Sequence, residues 1–137
     1  WKLYAYAKSV QTGKTLGYAD IVVNLRDIND NSPQFSQPVY HANITENATA
    51  NQEVIRVKAT DYDDPDQDGN ARVTYSIEQN QVDQFGRVMF GIDASGLITT
   101  LVCCLDRERR DNYTIRVTAS DGGGLKVSVC LRNINFA

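Results

Sequence analysis

From Trp1 to Ser9 apolar side chains recur at every second position, with Trp1, Leu3, Ala5 and Ala7 on one face. After a turn at Thr12 to Lys14, the run Gly17 to Leu25 repeats the pattern through Ala19, Ile21, Val23 and Leu25. A period of two marks a half-buried strand, so the first 26 residues read as two strands joined by a hairpin. Two strands cannot bury an apolar face by themselves. Residues 1–26 are therefore expected to be the last strands of a domain that begins upstream of this sequence, with Trp1 on its inward face.

The alternation resumes downstream. Pro38 to Thr45 reads as an edge strand and carries the only histidine, His41. Ile55, Val57 and Ala59 alternate with Arg56 and Lys58, and Val73, Tyr75 and Ile77 with Thr74 and Ser76. Phe90 to Asp93 and Leu97 to Leu101 flank a turn at Ala94 to Gly96. Tyr113, Ile115, Val117 and Ala119 form another inward face, and Leu125, Val127, Val129 and Leu131 the last. About seven short strands over roughly 100 residues, with no sustained helical period, predict an all-β fold: a seven-stranded Greek-key antiparallel β-sandwich of immunoglobulin-like architecture. The chain also repeats itself. Leu25-Arg26-Asp27-Ile28-Asn29-Asp30 returns as Leu131-Arg132-Asn133-Ile134-Asn135-Phe136, and Trp1, Leu3 and Ala5 align with Tyr113, Ile115 and Val117. Tandem modules are implied, divided as residues 1–26, a linker at 27–33, and one complete repeat over 34–137 that ends at the start of the next linker.

The linker Asp27-Ile28-Asn29-Asp30-Asn31-Ser32-Pro33 interrupts the strand pattern. Pro33 lacks a backbone donor and holds Ser32 extended, which excludes helix and central strand. Its carboxylates and amides are oxygen donors suited to a hard cation. Calcium takes roughly six to eight oxygens at about 2.3 to 2.6 Å, whereas zinc prefers sulfur or imidazole. More carboxylates fall at predicted strand ends: Asp61, Asp63 and Asp121 at the pole that carries the linker, and Glu46, Asp106 and Glu108 at the opposite pole. Like charges gathered in this way repel one another unless a cation neutralises them.

A net charge of −3 provides no basic surface for nucleic acid and no polybasic patch for membrane contact. No apolar run approaches the roughly eighteen residues of a spanning helix, and the first residues do not have the order of a signal peptide. An excerpt or processed piece is expected. Three cysteines, Cys103, Cys104 and Cys130, do not make a disulfide framework, and their odd number leaves at least one unpaired within the chain. In an extended backbone Cys103 and Cys104 would point to opposite sides. A bond from Cys130 to either one would need a Cα separation below about 7 Å. Asn43-Ile44-Thr45, Asn47-Ala48-Thr49 and Asn112-Tyr113-Thr114 are acceptor sequons, making Asn43, Asn47 and Asn112 candidate glycosylation sites.

The segment Asp27-Ile28-Asn29-Asp30-Asn31-Ser32-Pro33-Gln34-Phe35 resembles the D-x-N-D-N-x-P-x-F linker of cadherin extracellular repeats. Thr45-Glu46-Asn47, the Asp61 and Asp63 pair after Ala59-Thr60, Leu105-Asp106-Arg107-Glu108 and Ala119-Ser120-Asp121-Gly122 follow in the order of that family. The resemblance implies three calcium ions at a repeat junction. The ion nearest the following repeat would take side chains of Asn29, Asp61, Asp63 and Asp121 and backbone oxygens of Asn31 and Asn70. The two nearer the preceding repeat would use Asp27, Asp30, Asp63 and the Ile28 carbonyl, with ligands from strands upstream. At the far end Asn133-Ile134-Asn135-Phe136 lacks both linker carboxylates, so Glu46, Asp106 and Glu108 are expected to hold no ion there, or one weakly. The resemblance further implies a non-enzymatic, extracellular adhesion module of a plasma-membrane protein. Its partners would be neighbouring repeats of the same chain and another cadherin, in homophilic or heterophilic contact.

Competing readings are an extracellular scaffold built from the same repeats, and a carbohydrate-binding or hydrolytic sandwich with structural calcium. Asp64-Pro65-Asp66-Gln67-Asp68-Gly69 also has the order that opens an EF-hand or thrombospondin-type loop. Its twelfth position is Tyr75, which cannot give the bidentate carboxylate, and its flanks read as strands. No nucleophile stands in a triad context, so catalysis is not expected.

Overall fold

The computed structural model describes residues 1–66 and 69–136, and its elements are strands. β1 (Lys2–Lys8) and β2 (Thr15–Val22) form an antiparallel hairpin with Ala5 opposite Ala19. Every residue of both strands is exposed. After the linker come β3 (Gln34–Phe35), β4 (Val39–Ile44), β5 (Glu53–Arg56), β6 (Ala59–Thr60), β7 (Thr74–Gln79), β8 (Phe90–Ile92), β9 (Leu97–Thr100), β10 (Asn112–Ser120) and β11 (Lys126–Phe136). One sheet runs β4-β11-β10-β7 and the facing one β5-β9-β8, while β3 and β6 pair separately.

The core lies between the sheets. Tyr40, Ile44, Ile115, Val117, Val129, Leu131 and Ile134 from the larger sheet meet Phe90 and Ile98 from the smaller, with Val57 among them. β10 follows the alternation expected of it, with Tyr113, Ile115, Val117 and Ala119 all buried. β11 needs a correction in phase, because Leu131 and Ile134 are both fully buried although three residues apart. A bulge accounts for this: the register shifts between Tyr113 and Ile115, where Asn133 has a φ of 53°. Asparagine tolerates that left-handed conformation, and the extra residue returns Ile134 to the inner face.

Three features depart from the sequence expectations. The strand expected through Ile55 and Ala59 is divided. Val57 N donates to Gly96 O, and one residue on, Lys58 O accepts from Ser36 N, so the chain crosses from the β9 side to pair with β3. The sandwich also contains one parallel pair, β4 with β11. β4 leaves the linker and runs to the far pole, and β11 leaves the same pole and runs the same way, so neighbouring places in one sheet force parallel pairing. Finally, Asn133 to Phe136 are strand residues: Ile134, Asn135 and Phe136 pair with Ala42, Asn43 and Ile44, and the Phe136 ring packs edge-on against Tyr113. As expected for an edge strand, β4 ends its sheet, and His41 on it is exposed.

Candidate metal centre at the linker pole

Three chain segments deliver carboxylates to one place. Asp61 and Asp63 follow β6, Asp121 follows β10, and one carboxylate oxygen of each lies within 4.8 Å of the others. Asp63 and Asp121 are buried and Asp61 partly so. Asp61 Oδ1 accepts from Asp63 N at 3.0 Å, which shapes the turn. Asp121 Oδ1 accepts from Leu125 N at 2.8 Å, and Asp121 N donates to Leu125 O at 3.0 Å, which closes the β10–β11 turn. Asp61 and Asp121 thus each spend one oxygen on their own loop and keep the other for the cluster.

The linker is tied to these loops. Asp63 Oδ1 accepts from Asn31 Nδ2 at 2.6 Å, and Asp63 Oδ2 from Asn31 N at 3.3 Å. Asp27 Oδ2 accepts from Asn70 Nδ2 at 3.0 Å and from Asp64 N at 3.2 Å. Asp30 Oδ1 accepts from Asn31 Nδ2, and Asp30 N donates to Ile28 O. Ile28 itself is exposed. Pro33 is fully buried and anchors the end of the linker.

Among the described residues, three buried side-chain oxygens have no hydrogen-bond partner: Asn29 Oδ1, Asp61 Oδ2 and Asp121 Oδ2. A buried polar atom left unpaired is costly, at roughly 1–3 kcal/mol and more when charged. All three are oxygens, and they come from the linker and both loops. That donor set fits a hard cation and suits neither zinc nor copper. The opposite pole differs. Among the described residues Asp61, Asp63 and Asp121 form the one convergent group of this kind, and it includes none of Glu46, Asp106 and Glu108. Asp106 Oδ1 instead caps its own turn, accepting from Glu108 N at 2.9 Å.

Sequence reasoning missed the contribution of the glycines after Asp121. A Cβ on Gly122 would stand 2.2 Å from Gly69 O, and one on Gly123 would stand 2.0 Å from Asn29 Nδ2. It also did not foresee that the buried side-chain amide of Asn70, expected to act through its backbone oxygen, donates to Asp27. The EF-hand-like order includes Gln67 and Asp68, which lie outside the described residues, as does Ala137. Its Tyr75 lies in β7 and accepts a hydrogen bond from Ala59 N at 2.9 Å.

Residues 40–134 match the family model described as "Cadherin domain". The chain belongs to the cadherin family. It is 48% identical over 141 aligned residues to putative neural-cadherin 2 of Drosophila melanogaster, covering 98% of this chain and 8% of that protein. It is equally similar to neural-cadherin of the same organism, covering 5% of it. Among solved structures, chicken VE-cadherin EC1-2 superposes with a TM-score of 0.70 at 31% identity, over 98% of this chain and 66% of that one. The chain is thus a cadherin-domain module that spans less than a tenth of the length of the two Drosophila melanogaster relatives, and the family is not an enzyme family. The carbohydrate reading finds no support in these relatives. No helix among the described residues is long and apolar enough to cross a membrane.

Proposed function

We propose that this module binds calcium at its linker pole and that the ion stiffens the junction between two cadherin repeats of an extracellular, plasma-membrane-anchored adhesion protein. The observation that carries this reading is that the carboxylates of Asp61, Asp63 and Asp121 converge while oxygens of Asp61, Asp121 and the linker's Asn29 are buried without a partner. Asn29 belongs to the linker and the aspartates to the sandwich, so ligands shared between them fasten one to the other. Bound calcium supplies the positive charge that the carboxylates lack. Asp63 would complete the set, Asn31 and Asn70 would add backbone oxygens, and Asp27, Ile28 and Asp30 would serve the ions nearer the preceding repeat. Residues 1–26 fit as the last strands of that repeat: Trp1, Leu3, Tyr4 and Tyr6 stand exposed on a two-stranded sheet. A stiffened array can present a distant tip to another cadherin.

Asp63→Ala removes a ligand and both hydrogen bonds to Asn31 at once. In a chain that includes the whole preceding repeat, calorimetry should give a dissociation constant on the order of 0.1 to 1 mM, as for extracellular modules. The Asp63→Ala variant should lose most of that uptake. Unchanged uptake would remove the assignment.

Asn43, Asn47 and Asn112 are all exposed, and Asn43 points outward because Ala42 and Ile44 face the core. Their placement supports glycan attachment during secretion. Peptide mapping of the secreted protein should find occupied sites among them; three bare asparagines would count against the extracellular location.

A further inference from the structure

Among the described residues, Asn47, Asn51, Asn133 and Cys104 are the non-glycine positions with positive φ. Asparagine enters that region readily and cysteine rarely does. At Cys104 the φ of 66° reverses what an extended chain would do. The two neighbouring thiols come to one side, and Cys104 Sγ donates toward Cys103 Sγ at 2.8 Å. The turn is held from outside: Cys104 N donates to Ala48 O at 3.0 Å, and Asn47 N donates to Leu105 O at 3.1 Å. Both cysteines are exposed. They sit on the wall of an open pocket of about 430 Å³ with Met89, Val102, Arg109 and Arg110. Three guanidinium groups, Arg87, Arg109 and Arg110, share the lining with two carboxylates, Asp83 and Asp106, and Asp83 is ion-paired with Arg87 at 2.7 Å, so the pocket keeps an excess of positive charge. Cys130 lies in β11 opposite Val39 and Arg116 and is unpaired.

We propose that Cys103 and Cys104 form a redox modification site that closes into a vicinal disulfide by exchange with an anionic disulfide such as glutathione disulfide. The Cys103 thiolate attacks one sulfur of the donor, forming a mixed disulfide and releasing one thiolate. Cys104, its proton passed to solvent, then attacks the Cys103 sulfur and expels the second thiolate. The protein loses two protons and two electrons, and the donor leaves as two thiols. Because the backbone already places both sulfurs together, the second attack needs no rearrangement of the loop.

The test uses the folded, reduced chain incubated with glutathione disulfide, then denatured, alkylated and digested with trypsin. Cleavage after Arg87 and Arg107 isolates both cysteines in one peptide, with Cys130 in another. The expected peptide carries no alkyl group and is lighter by two hydrogens. Closure should be about tenfold faster in the folded chain than in urea, since orientation is what the fold contributes. In Cys104→Ser, glutathione should remain attached to Cys103. Two alkyl groups, a lasting glutathione adduct in the unsubstituted chain, a link to Cys130 or to a second chain, or equal rates folded and unfolded would each overturn the proposal.

Discussion

Gly123 is the residue on which the linker contact turns. Alanine there would place its Cβ 2.0 Å from Asn29 Nδ2 and 2.4 Å from Asn29 Cγ, so the amide must move away from the aspartates. Gly123→Ala should therefore weaken calcium binding about tenfold while costing the fold no more than the roughly 1–3 kcal/mol typical of overpacking. Titration calorimetry and urea denaturation read the two effects separately; an unchanged affinity would mean that Asn29 is not a ligand. The acidic members of the site were legible because carboxylates at strand ends carry their chemistry in their identity. The glycines were not, since Asp121-Gly122-Gly123-Gly124 reads the same whether a glycine turns the chain or merely leaves room. Asn70 shows a similar limit, because sequence names the residue without showing that its side-chain amide holds Asp27.

At the scale of elements, the β8–β9 hairpin was legible almost residue by residue. Asp93 closes it: Oδ1 accepts from Ser95 N at 2.8 Å, Ser95 Oγ at 2.6 Å and Leu97 N at 3.0 Å. Gly96 follows with a φ of 81° and no space for a Cβ, which would meet Val57 O at 2.2 Å. The Ser95 hydroxyl first, then the Leu97 amide, hold the Asp93 carboxyl below its ordinary value of 3.8. A depressed folded value means that the stabilisation is present above 3.8 and is lost as pH falls through the lower folded value. Protection of the Ser95 and Leu97 amides, followed by NMR, should collapse in that acid window. The Asp93→Asn variant should show no such step; a step of the same size in that variant would assign it to another group. The bulge at Asn133 and the break after Arg56 were not legible. Each arises from a partner strand distant in sequence, and alternation along one strand holds no information about its neighbour's register.

At the scale of the whole molecule, the sandwich itself could be read from the count and spacing of alternating runs, because one core supports one pattern of inward faces. The parallel pairing of β4 with β11 could not, since it depends on which strands become neighbours. Its consequence is mechanical. The chain enters β4 at one pole and leaves β11 at the other, so tension along the molecule slides these two strands past each other and loads their ladder bonds together. Stretching the molecule by its ends should give one abrupt, high-force rupture. Pulling instead through Val39 and Lys126, at the starts of the two strands, should peel the bonds apart one after another at much lower force. Equal forces in the two geometries would show that this pair does not bear the load. β4 and β11 are thereby placed to act as a clamp against the sandwich being drawn out along its chain.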